Sequence, residues 1–207
     1  MITIINFKTY KQGKQVLEFA KRIEKVDNSI IVGIPVSDIE EVSSKTKLKV
    51  YAQHVDNFQK GRNTGFIIPE SVKAEGARGT FLNHSEHRLK LDVIRKTIQR
   101  CKKIKLETAV FASDLNEAKK IEKFHPDILI IEPPELVAGK ISVSSAKPEL
   151  IKKISKAIKR KFLVGAGIHS RKDVEVALKL GASGIAVSSS VMKARNPAFE
   201  LRKLLGR

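Results

Sequence analysis

The feature that most restricts this chain is an eight-fold alternation of short apolar runs, rich in Ile and Val, with stretches of helical periodicity. The runs occupy residues 2–7, 30–34, 48–52, 79–82, 107–111, 127–131, 162–165 and 184–187. Most are apolar throughout, as expected for parallel strands covered on both faces. Helical spacing appears over 13–26, 91–104, 114–124, 148–159 and 170–180; the last starts at Ser170, an N-cap candidate, and stops before Gly181. Such a series closes into a barrel or opens into a doubly wound sheet. An open sheet would normally carry a glycine-rich fingerprint after its first strand. Here that place reads Asn6-Phe7-Lys8-Thr9-Tyr10, with no glycine. The expectation is an α/β chain folding as one closed eight-stranded parallel (β/α)8 barrel over residues 1–207, with its chemistry on the loops after the strands.

Composition narrows the setting. The single cysteine, Cys101, excludes an internal disulfide framework, and no segment approaches the roughly 18 apolar residues that span a membrane. The start, Met1-Ile2-Thr3-Ile4-Ile5-Asn6-Phe7, reads as a strand and not as a leader. A soluble, reducing, cytoplasmic setting is expected. The net charge of +18 points towards anionic partners, but much of it lies on helices. In Lys152–Lys161, lysines fill the face opposite Ile154 and Ile158, the pattern of a solvated outer surface. With two Tyr and no Trp, stacking platforms for single-stranded nucleic acid are scarce, and nucleic acid is not an expected partner.

Polar groups stand where the strands should end. Lys8 follows the first run, with Asn6 two residues earlier on the same face. The fourth run leads into Asn83-His84-Ser85-Glu86-His87-Arg88. His84 is expected to open a helix capped by Ser85, whose N-terminus would keep the ring neutral. His84 and His87 have a spacing that metals use, but no third ligand accompanies them, and no metal is expected. The sixth run ends in Glu132-Pro133-Pro134-Glu135. A carboxylate after an apolar strand loses solvation, and its proton affinity rises towards that of a useful base. Small residues, Gly165-Ala166-Gly167 and Ser188-Ser189-Ser190, follow the seventh and eighth runs, where backbone N–H groups can approach a phosphate. The small residues alone would also suit another phosphate-binding barrel, a lyase or synthase, and the charge of +18 alone a basic nucleic-acid-binding barrel without catalysis; neither explains His84, Glu132 and Lys8 together.

Six motifs in this order resemble the triosephosphate isomerase family, in its short archaeal form: Asn6–Tyr10; Ala52-Gln53-His54-Val55-Asp56 with Thr64-Gly65; Asn83–Glu86; Glu132–Leu136; Ala146-Lys147-Pro148-Glu149; and Gly165–Ile168. The resemblance covers nearly the whole chain. It implies interconversion of dihydroxyacetone phosphate and D-glyceraldehyde 3-phosphate, in glycolysis and gluconeogenesis, with no metal and no cofactor. It implies Glu132 as base, His84 as electrophile and Lys8 as electrostatic clamp, with Asn6 nearby and Glu86 orienting Lys8. Phosphate would be held by backbone groups at Gly139, Gly167, Ser188 and Ser189, under a lid from Pro133 to about Lys140. The stretch Ala138-Gly139-Lys140 stands where the family usually has Gly-Thr-Gly, and Ser188–Ser190 where its archaeal branch usually has Ala-Ser-Gly. The segment 53–64 would reach into a neighbouring subunit, which implies a homodimer or homotetramer.

Overall fold

The computed structural model describes residues 1–136 and 143–207, the side chains of 143 and 144 excepted. Its strands are β1 (Ile2–Asn6), β2 (Ile31–Ile34), β3 (Lys49–Ala52), β4 (Gly79–Leu82), β5 (Glu107–Ala112), β6 (Ile128–Ile131), β7 (Phe162–Val164) and β8 (Gly184–Val187). They form a closed, wholly parallel barrel in sequence order, β8 returning to pair with β1. Each strand lies within or overlaps one of the apolar runs.

The helices are α1 (Lys14–Glu24), α2 (Ile39–Lys45), α3 (Pro69–Ala74), α4 (Leu91–Lys103), α5 (Leu115–Glu122), α6 (Val143–Ala146), α7 (Pro148–Ala157), α8 (Arg171–Lys179), α9 (Ser189–Met192) and α10 (Pro197–Leu205). Helical spacing exposed α1, α4, α5, α7 and α8. The short α2, α3, α6 and α9 present too few turns for periodicity to show, and α10 was also outside the expectation. The expected cap of α8 is present: Ser170 accepts from the Asp173 N–H, and Asp173 reciprocates.

Two apolar layers follow from the strand period of two. Ile4, Ile31, Tyr51, Phe81, Phe111, Ile130, Leu163 and Ala186, one or more from every strand, fill the interior. Their neighbours, such as Ile5, Val32, Leu82, Val110 and Ile131, meet the helices outside. In α7, Ile151 and Ile154 are buried while Lys152, Lys153 and Lys156 are exposed, the outer-face arrangement expected of the basic stretch. The same alternation carries beyond the strands. Asn6 continues the inward series of Ile4, and Glu132 that of Ile128 and Ile130, so both polar residues emerge at the C-terminal mouth of the barrel.

Candidate active site

At that mouth one pocket gathers Asn6, Lys8, His84 and Glu132 with the 166–169 and 186–190 segments. The groups come from the ends of five different strands.

Glu132 is buried. Its backbone N–H still bonds Ala112 O at 2.9 Å, extending the β5–β6 pairing by one residue. Gly165, directly after β7, lies beside it: a Cβ there would lie 3.2 Å from Glu132 Oε1, so glycine leaves room for the carboxylate. Oε2 accepts from the Ser85 hydroxyl at 3.1 Å and lies 3.2 Å from His84 Nε2. Burial pushes the Glu132 carboxyl up to about 7, and the Ser85 hydroxyl and Lys8 only partly oppose it.

His84 does not open a helix. Residues 84–90 form a loop, and α4 begins only at Leu91. The helix N-terminus expected to keep the ring neutral is therefore absent, and two other causes replace it. Burial, then the charge of Lys8, pull the imidazole down to about 4, against the opposing pull of Glu86. The Glu86 backbone N–H donates to His84 Nδ1 at 3.1 Å, so Nδ1 accepts and the proton sits on Nε2, facing Glu132 and the pocket. The ring also packs edge-on against Phe111, with centroids 4.7 Å apart. His87 is not its companion but stacks on His54, centroids 4.0 Å apart. Among the described residues no group of three or more His, Cys, Asp or Glu side chains could hold a metal ion.

Lys8 sits in the left-handed region with φ 46°, a costly conformation for a side-chain-bearing residue. Two contacts hold it there. Its N–H donates to Asn6 Oδ1 at 2.9 Å, and its carbonyl accepts from Gln53 Nε2 at 2.9 Å. Gln53 also reaches Asn6 Oδ1 and Gly33 O, both at 3.2 Å. The Lys8 ammonium lies 2.6 Å from Glu86 Oε1. Sequence reasoning quoted Gln53 without giving it a role, although it continues the inward series of Tyr51 at the end of β3. Ser85, expected as a cap, is instead the hydroxyl partner of Glu132.

Gly167, Ser188 and Ser189 line the same pocket. Ala166 and Gly167 both have positive φ, 71° and 67°, which turns the chain sharply after β7. The Ser188 hydroxyl oxygen is buried without a hydrogen-bond partner among the described residues. Gly139 and the stretch 137–142 lie outside the described residues, so the expected lid is represented only by its entry, where Pro134–Leu136 form a 3-10 turn.

A closed parallel barrel whose mouth holds a buried carboxylate of raised proton affinity, a neutral imidazole and an ammonium group defines an enzyme built for proton transfer on an anionic substrate. Comparison with known proteins narrows this class. Residues 1–204 match the family model for triosephosphate isomerase. The chain is 39% identical to the triosephosphate isomerase of Methanocaldococcus jannaschii, over 99% of each chain, and 41% identical to that of Sulfolobus acidocaldarius, over 95% of this chain and 90% of the other. Its fold matches the crystal structure of triosephosphate isomerase from Bartonella henselae with a TM-score of 0.79 at 16% identity, over 100% of this chain and 99% of the other. The chain belongs to the triosephosphate isomerase family.

Proposed function

We propose that this chain interconverts dihydroxyacetone phosphate and D-glyceraldehyde 3-phosphate, as a step of glycolysis and gluconeogenesis, through an enediolate and with no metal or cofactor. The observation that carries this reading is the convergence of Glu132, His84 and Lys8 on one pocket in the protonation states the reaction needs. Glu132, ionised, removes the proton from the carbon beside the carbonyl. His84, neutral with its proton on Nε2, donates to the carbonyl oxygen and moves protons between the two oxygens. Lys8, oriented by Glu86 and seated beside Asn6, offsets the charge of enediolate and phosphate. Backbone N–H groups of Gly167, Ser188 and Ser189, together with Gly139 of the lid, hold the phosphate, and the lid keeps water from the enediolate. The catalytic unit is a single barrel domain over 1–207. A coupled assay of glyceraldehyde 3-phosphate turnover tests the reading; an inactive, correctly folded chain would overturn it.

The pH profile tests the roles. The base must be ionised, so kcat/KM of the free enzyme should climb about tenfold per pH unit and level off near pH 7, where Glu132 titrates. The substrate phosphate, titrating near 6, is corrected for separately. His84, held near 4, should add no break between pH 5 and 8. A plateau reached already at pH 5 would remove Glu132 as the base.

The chain is also proposed to work in the cytoplasm and as a homodimer or homotetramer. Among the described residues no helix is long and apolar enough to cross a membrane. The segment after β3 carries Phe58 and Phe66, paired at 4.4 Å and 40% and 52% exposed. Beside it a groove of about 380 Å³ is walled by Pro35, Val36 and Ile67 and bordered by Lys8 and Glu86. A partner's apolar loop seated there would brace Lys8. Sedimentation should therefore show at least a dimer, and Phe58→Asp with Phe66→Asp should yield monomers of much lower activity. A wild-type monomer with full activity would sink this part of the proposal.

A further inference from the structure

The loop that carries His84 is fastened from outside the pocket. Its first residue, Asn83, adopts φ 61°, and this left-handed turn is why His84, rather than the inward-series Asn83, lines the pocket. The Asn83 side chain then closes the loop on itself: Oδ1 accepts from the Leu89 N–H at 2.9 Å, while Nδ2 donates to Phe111 O at 2.9 Å. Within the loop the His87 N–H bonds His84 O at 2.8 Å.

One carboxylate ties this arrangement to the next element. Glu117, in the first turn of α5, accepts from Asn83 Nδ2 at 3.1 Å and forms an ion pair with Arg88. Arg88 reaches back to Asn83 O at 3.4 Å, so both partners of Glu117 grip the loop. Its other oxygen accepts from Ser113 N at 2.7 Å and Ser113 Oγ at 2.8 Å. Burial pushes the Glu117 carboxyl up, but these donors outweigh burial and leave it below the usual carboxylate range. The group is thus an ionised anchor with every bond directed at the start of α5 or at the His84 loop. It does not line the pocket. An ion pair and three further hydrogen bonds on a mostly buried side chain exceed what seating α5 requires, because Asp114 already caps that helix through the Glu117 N–H.

We propose that Glu117 is a positioning residue for the isomerisation: from α5 it locks loop 83–89 and so fixes the direction in which His84 presents its Nε2 proton. The inference rests on the functional reading above. Without Glu117, Asn83 loses an acceptor and Arg88 its counter-ion, and nothing else among the described residues holds Arg88 apart from the Asn83 carbonyl. The loop then relaxes, Glu86 N–H no longer meets Nδ1, and the ring gains solvent while still facing Lys8, Glu86 and Glu132.

The test compares Glu117→Ala and Glu117→Gln with the wild type, well below their melting temperatures. For Glu117→Ala, kcat should fall at least tenfold while KM changes less than threefold. The His84 ring nitrogens, which keep neutral-imidazole shifts between pH 5 and 8 in the wild type apart from a small perturbation as Glu132 titrates, should show imidazolium formation in that range. Glu117→Gln keeps one acceptor oxygen, for Asn83 or for Ser113 but not both, and loses the charge that pairs with Arg88, and should fall between the two. Wild-type kcat in Glu117→Ala overturns the proposal, as does a loss of activity with the His84 resonances unmoved, which marks a merely structural role. If Glu117→Ala does not fold, Glu117→Gln decides by the same readouts. The ring resonances are read without substrate, so an inactive wild type would overturn the functional reading and not this inference.

Discussion

Glu132→Gln should fold normally and lose roughly 10³-fold in kcat, since a positioned general base contributes about 10²- to 10⁴-fold. The amide fills the same space, still accepts from Ser85 and cannot take a proton. The same variant should be more stable than the wild type at alkaline pH. Glu132 has a folded value of about 7 against an ordinary 4.5. Its favourable contribution is fully present below the unfolded value and is lost as pH rises through the folded one. Above pH 8 the ionised carboxylate thus burdens the fold by at most about 3 kcal/mol, a burden the amide lacks. Melting curves should coincide near pH 4 and separate by several degrees at pH 8, with Glu132→Gln the higher. Equal curves at pH 8 would mean that the carboxylate is better solvated than its surroundings indicate.

Lys8→Met should lower kcat/KM by roughly 10²- to 10³-fold, the scale of losing one preorganised charge at a developing oxyanion. The sharper signature is in the pH profile. Lys8 lowers the Glu132 carboxyl and also the His84 imidazole. Without it both should rise, and the break in kcat/KM should move above pH 7. Steady-state rates across pH 5–9 measure both effects. A large rate loss with an unmoved break would place Lys8 on the phosphate alone, away from the base and the imidazole.

These two residues were legible in the sequence for different reasons. Glu132 follows an apolar strand at an inward position, so burial and raised proton affinity were readable before any coordinates. Lys8 was readable as a position only. Its left-handed backbone and the Gln53 amide that supports it come from β1 and β3 meeting across β2, which no local pattern announces. The barrel itself was legible because continuous Ile and Val runs suit strands covered on both faces and little else. His84 shows the opposite case. Its neutrality was expected from a helix terminus, yet it arises from burial, Lys8 and a backbone N–H of its own loop. The loop is held in place by Asn83, Arg88 and Glu117, whose pairings span 29 to 34 residues and leave no trace in spacing. The proposed phosphate end was legible only as small residues in the right order, since the groups proposed to bind there are backbone N–H groups, which leave no side-chain signal.

The pairing of β1 with β8 has a consequence for how the molecule is made. Ile2 pairs with Gly184 and Ile5 with Val187, and a Cβ on Gly184 would come within 1.9 Å of Ile2 O. The first strand of the barrel thus waits for the last, with one edge unpaired until residues 184–187 have been made. No circular hydrogen-bond network exists until residues 184–187 arrive, so final closure is long-range, and slow on the scale of helical proteins. During that wait the open edges of β1 and the growing sheet are the places where nascent chains can pair with one another. The seam that gives the finished barrel no edge is, during synthesis, its point of exposure to self-association.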